Sequence, residues 1–175
     1  MNELDKRCLE TFAGWLKSLA DDSRTLSEAV QNEELSEGVR RPLAGALNYL
    51  FKSLDLIDDG IEGLGFLDDA FVLRIAAAKA GDSAPAEVRA LGEDVGLLLE
   101  FLGALAPRLD RFVAGLETST VRGRSVDAIL SDESVRSELL GDLSAWASRY
   151  EKPAFAHDPK NLIQLKSFLG AKLPA

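Results

Sequence analysis

The densest run of reactive side chains in the 175-residue sequence lies between residues 53 and 73. Six carboxylates fall there with no basic residue among them: Asp55, Asp58, Asp59, Glu62, Asp68 and Asp69. Oxygen donors at this density suit hard cations such as Ca²⁺ or Mg²⁺, and all six are candidate metal ligands. If the segment were helical, Asp55 and Asp59, and likewise Asp58 and Glu62, would share a face. Like charges at that spacing repel by a few tenths of a kcal/mol per pair, so solvent, a cation or arginines must compensate. The spacing is not that of an EF-hand. Counted from Asp55, Gly60 falls at the turn position, but Ile57 stands where the second ligand belongs and Phe66 replaces the closing Glu. A competing reading has Asp68 and Asp69 capping a helix start, with Asp55 and Asp59 capping a second turn or pairing with Arg40, Arg41 or Arg74.

Other chemistries are poorly provided for. His157 is the only histidine and Cys8 the only cysteine, so a Cys/His zinc site cannot be assembled from this sequence. It contains no Glu-x-x-His pair for a di-iron bundle and no Gly-x-Ser-x-Gly elbow. Gly63-Leu64-Gly65 lacks the third glycine of a dinucleotide loop. Cys8 lies on an apolar helical stripe and reads as a buried, inert thiol. Trp15 and Trp146 lie on similar stripes and read as core. No catalytic residue and no cofactor beyond a divalent cation is expected.

Net charge is −9 with the basic residues scattered, which disfavours nucleic acid and anionic lipid. The longest uncharged runs are about ten residues, as at 42–51, well short of the ~18 a membrane span needs. Integral membrane insertion is therefore not expected. The acidic N-terminus does not resemble a secretion signal, and a cytoplasmic location is the default.

The elements that position these residues are all helical. Apolar residues are 46% of the sequence and aromatics only 7%, so Leu and Ala, both strong helix formers, must fill the core. The expected fold is all-α: a single domain, a bundle of six to eight helices. Residues 1–38 carry two N-terminal helices, the first broken at Asp21-Asp22-Ser23, the second opened by a Thr25/Glu28 capping box. Residues 39–81 form a central helical hairpin around the acidic turn. Residues 85–118 carry an uninterrupted three–four seam (Val88, Leu91, Val95, Leu98, Leu102, Leu105, Leu109, Phe112, Leu116), which predicts one long helix kinked or split at Pro107. That seam is expected to pack within its own bundle rather than against a second copy. A polar loop at 118–125 precedes C-terminal helices over 125–175, one ending near Tyr150 and the last opened by Asp158-Pro159. No strand is expected.

Within the hairpin, Asp55-Leu56-Ile57, Asp59, Gly65 and Phe66-Leu67-Asp68-Asp69, followed by an apolar helix, carry a resemblance. Residues 49–75 resemble the YkvA-like family, bacterial helical domains of unknown function. That family's turn carries prolines where this sequence has Leu54, Asp58 and Glu62, so Asp58 and Glu62 are acids this chain adds. The resemblance implies a helical hairpin and no activity. The leading functional expectation is a non-enzymatic interaction or scaffold protein, with a protein partner or self-association. The alternatives are a cation site in the acidic turn and a membrane-peripheral role.

Overall fold

The computed structural model describes residues 1–52, 55–61 and 63–175. It is an all-α bundle, with nine α-helices among the described residues. In chain order these are α1 (Glu3–Gln31), α2 (Glu37–Tyr49), α3 (Leu67–Lys79), α4 (Ala86–Gly92), α5 (Val95–Leu102), α6 (Ala106–Gly115), α7 (Val126–Ser131), α8 (Glu133–Arg149) and α9 (Pro159–Lys172). No helix among the described residues is long and apolar enough to cross a membrane.

The bundle is organised around α3. Every residue from Leu67 to Ala77 is buried, because α1, α2, α4, α5 and α6 all pack against this helix. A helix apolar all round is a core helix. Its Phe71 ring meets Phe12 of α1 at 4.9 Å between centroids, and Phe12 meets Phe101 of α5 at 5.4 Å, so one aromatic knot ties three helices together. Cys8 is fully buried on α1, and burial pushes its thiol up to about 11.

The expected break in the first helix does not occur: α1 runs unbroken for 29 residues. The polar residues that suggested a break are satisfied inside the helix. Ser23 Oγ donates to the Ala20 carbonyl, Thr25 Oγ1 to Asp21 and Ser27 Oγ to Ser23, the back-bonding that lets hydroxyls sit mid-helix. Asp22 is buried and accepts from Ser18 Oγ at 2.8 Å and from Arg74 Nη2 of α3 at 2.7 Å. The Arg74 guanidinium also lies over the Trp15 ring, 4.9 Å from its centroid. Burial still raises the Asp22 carboxyl despite the guanidinium and lowers Arg74, so desolvation outweighs the attraction. Breaking such a pair strands a buried charge, at a cost of about 3–5 kcal/mol. Arg74→Ala is expected to destabilise by that amount in urea unfolding, and an Asp22→Leu/Arg74→Leu double variant to recover most of it. A double variant as unstable as the single one would contradict this reading.

The long seam is also divided, at two places other than Pro107. α4 ends at Gly92, whose backbone lies so close to Ala78 of α3 that a Cβ would meet it at 3.0 Å. α5 ends at Leu102, before Gly103 with φ +56, and a 3₁₀ turn over Gly103–Leu105 leads into α6. Pro107 then sits in the first turn of α6, where it forfeits nothing. The seam packs inside the bundle: Val88, Val95, Leu98, Leu102, Leu109 and Leu116 are buried. Residues 118–125, expected to be loop, include a two-residue antiparallel pair. Thr120 faces Ser125 and Val121 faces Arg124, across a turn with positive φ at Arg122 and Gly123, as tight hairpins require. The C-terminal helices follow expectation except that Asp132, not Ser131, caps α8 through the Ser134 amide.

Candidate functional site

The connection from α2 to α3 is built from the burial of its apolar residues. Leu56, Ile57 and Leu64 are buried, which pulls the turn under the bundle. Asp58 Oδ1 accepts from the Gly60 amide at 2.9 Å, an Asx turn. The Ile61 amide then donates to the Asp58 carbonyl, and the Gly65 amide to the Ile61 carbonyl at 3.0 Å. Gly65 lies directly on the Asp59 backbone: a Cβ there would sit 2.3 Å from the Asp59 carbonyl oxygen. Phe66 follows with φ 69, a left-handed conformation uncommon for a bulky residue. That sharp reversal launches α3 with Asp68 and Asp69 in its first turn. Trp146 and Tyr150 clamp the Phe66 ring, Tyr150 edge-on at 5.3 Å.

Adjacent helical residues point about 100° apart, yet Asp68 and Asp69 are 0% and 2% exposed, since α3 is enclosed on every side. One carboxylate oxygen from each of Asp55, Asp68 and Asp69 lies within 4.8 Å of the other two. Asp68 Oδ2 accepts from the Tyr49 hydroxyl at 2.6 Å. The Oδ1 atoms of Asp55, Asp68 and Asp69 are buried and, among the described residues, have no hydrogen-bond partner. Among the described residues, no lysine or arginine forms an ion pair with any of the three. Lys52 is close, but its ammonium sits over the Tyr49 and Phe112 rings, 5.9 and 5.1 Å from their centroids. The arginines named as alternative partners for the turn are engaged elsewhere: Arg40 on the Val30 carbonyl, Arg41 on Glu37 and Asp127, Arg74 on Asp22.

Of the six sequence candidates, then, three converge. Asp58 is turned onto its own Gly60 amide, and Asp59 is exposed. Glu62 lies outside the described residues. Asp68 and Asp69 sit in the first turn of α3 as expected, but among the described residues no side-chain capping hydrogen bond is formed there. Sequence reasoning passed over Tyr49. It also missed one available signal: α3 has no polar face, so adjacent acids in its first turn have no route to solvent.

The electrostatics follow from this enclosure. Asp55 is pushed up to about 7, first by burial and then by the charges of Asp68, Asp59 and Asp58. Burial, then Asp68, Asp59 and Asp55, hold Asp69 well above the carboxylate range. Asp68 is raised by burial, opposed by the Tyr49 hydroxyl and the nearby Ile57 amide. Burial and then Asp69 and Asp59 raise Tyr150. A carboxyl raised on folding binds protons more tightly folded than unfolded. Its stabilisation is complete below the unfolded value near 4 and is lost as pH rises through the folded value. The metal-free protein is therefore expected to melt at a higher temperature at pH 5 than at pH 8, with the fall for Asp55 running from near pH 4 and complete at about pH 7. Asp69→Asn should flatten the profile; an equally steep profile in that variant would contradict the assignment.

Chemically, three enclosed carboxylates without a counter-charge have two ways to be satisfied: shared protons or a cation. Comparison with known proteins locates this same segment. The model of a family described as a protein of unknown function (DUF1232) matches residues 42–75. That match spans most of α2, the acidic turn and the first part of α3, and contains Tyr49, Asp55, Asp68 and Asp69. No curated protein and no solved structure matches the chain.

Proposed function

We propose that this chain is a divalent-cation-binding helical protein, a divergent YkvA-like domain whose hairpin holds the ion through Asp55, Asp68 and Asp69. The carrying observation is the convergence of a carboxylate oxygen from each of Asp55, Asp68 and Asp69, with no basic residue paired to them among the described residues and with the Oδ1 atom of each buried and without a hydrogen-bond partner there. An unsatisfied buried polar atom costs about 1–3 kcal/mol, and more when charged. Mg²⁺, Mn²⁺ or Ca²⁺ supplies the missing charge and accepts oxygen ligands. Asp58 and Asp59 then contribute acidic potential that attracts the ion rather than direct bonds. The ion links the turn to the first turn of α3 and so holds the hairpin closed. Equilibrium dialysis of metal-stripped protein at pH 7.5 tests this. The expected result is one ion per chain at sub-millimolar concentration, lost in Asp69→Asn. No retained ion at millimolar concentration, or equal retention by the variant, overturns the reading.

A second reading, the interaction or scaffold protein, draws support from Ile163 of α9, which is 70% exposed. The 85–118 seam is used within the bundle, as expected, and so is not the face this reading would need. The apolar faces of α2 and α3 are likewise buried, which removes the basis for a membrane-peripheral role.

A further inference from the structure

We propose that Tyr49 sets which cation the site prefers: by holding Asp68 Oδ2 it leaves Asp68 a single free oxygen, favouring a small octahedral ion, Mg²⁺ or Mn²⁺, over Ca²⁺. This rests on the cation reading above. Tyr49 is fully buried at the end of α2. Its hydroxyl does two things at once: it donates to Asp68 Oδ2 at 2.6 Å and accepts the Leu56 amide at 2.9 Å. The incoming amide occupies the acceptor side of the oxygen, so the proton is directed at Asp68. The ring is kept in place by the edge of Phe112, 5.7 Å away between centroids.

The consequence is a denticity constraint. Ca²⁺ takes six to eight oxygens and commonly binds a carboxylate through both of its oxygens, whereas Mg²⁺ demands six in near-ideal octahedral geometry and keeps several waters. With one lone pair of Oδ2 taken by the Tyr49 proton, Oδ1 is the Asp68 oxygen left without a hydrogen bond among the described residues, and binding an ion through both oxygens would compete with the tyrosine bond. One oxygen each from Asp55, Asp68 and Asp69 fills half an octahedron and leaves the remainder to water. Tyr49 is thus a positioning residue, the hydrogen-bonding partner behind a ligand that fixes how the ligand is presented. It also connects the two sides of the site, since Leu56 lies next to Asp55 and Asp68 opens α3.

The test is calorimetric titration of metal-stripped wild type and Tyr49→Phe with Mg²⁺, Mn²⁺ and Ca²⁺. Wild type is expected to bind Mg²⁺ or Mn²⁺ more tightly than Ca²⁺. The variant is expected to lose roughly tenfold or more of that preference, in line with the 10–100-fold effects of such partners. A merely structural tyrosine would weaken all three ions together, so an unchanged ratio overturns the proposal. A wild-type preference for Ca²⁺ overturns it whatever the variant does. Where Tyr49→Phe does not fold, p-aminophenylalanine at position 49 keeps the ring and a weaker donor. A reduced preference is expected there too, and an unchanged one overturns the proposal. If wild type binds no cation, the cation reading itself fails, which is a distinct outcome.

Discussion

Adding Mg²⁺ or Mn²⁺ to the metal-stripped protein at pH 7.5 is expected to raise its melting temperature by roughly 5–10 °C. A ligand that binds only the folded state stabilises it by about 2.7 kcal/mol at a hundredfold excess over its dissociation constant. Each kcal/mol moves the melting temperature of a domain this size by about 2–4 °C. The effect should be largest at pH 7.5–8 and shrink towards pH 5. At low pH Asp55 and Asp69 hold protons that the ion must displace. Asp69→Asn makes two opposed changes. It removes a ligand, so the response to cation is expected to vanish. It also removes a buried unpaired charge, so the metal-free variant should melt at or above the wild-type temperature. A carboxylate that served only as a helix cap would give the reverse: no cation response in either protein, and a loss of about 1 kcal/mol on substitution. Scanning fluorimetry on the two proteins separates the cases.

Gly65→Ala is expected to be among the most damaging single-methyl additions in the chain. The new Cβ would lie 2.3 Å from the Asp59 carbonyl oxygen, 3.0 Å from its carbon and 3.2 Å from its Cα. All three are backbone atoms, so relief requires the turn itself to shift rather than a side chain to rotate. A cost of about 3 kcal/mol or more is expected, equivalent to roughly 6–12 °C. Because Asp59 and Gly65 lie between Asp55 on one side and Asp68 and Asp69 on the other, separating them also separates the ligands. Cation affinity should therefore fall further than in a variant of equal stability elsewhere, such as Arg74→Ala. Two glycines serve as controls. At Gly60 a Cβ meets only the Asp58 carboxylate, at 3.4 Å, and at Gly141 in the interior of α8 it meets nothing within 4 Å. Gly141→Ala should gain about 0.5–1 kcal/mol through helix propensity. Equal melting temperatures for Gly65→Ala and Gly60→Ala would show that the turn does not depend on this close approach.

Helical periodicity identified most of the segments that are helical among the described residues, because Leu and Ala stripes at three–four spacing have few alternative uses. Boundaries were less legible, for reasons specific to particular residues. Asp22 and Ser23 look like a break, yet Arg74, more than fifty positions away, satisfies the acid and the hydroxyl bonds back within the helix. Pro107 looks like the break in the seam, but Gly92 and Gly103 make the breaks, one through contact with α3 and one through a positive φ. The site was half legible. Its acids and the hairpin around them were visible in composition and in the family resemblance. Which acids converge depends on how the turn folds under the bundle, and no spacing rule contains that information. Tyr49 was invisible for the same reason: its role exists only once Leu56 and Asp68 have been brought to its hydroxyl.

The most direct measurement is a crystal structure of the protein grown or soaked in Mn²⁺, with anomalous scattering used to locate the metal. The expected result is one peak per chain, about 2.1 Å from one oxygen of each of Asp55, Asp68 and Asp69, with water completing the octahedron and the Tyr49 hydroxyl still on Asp68 Oδ2. A map with no metal at this position, and carboxyls close enough to share protons with one another, would contradict the cation site at its centre.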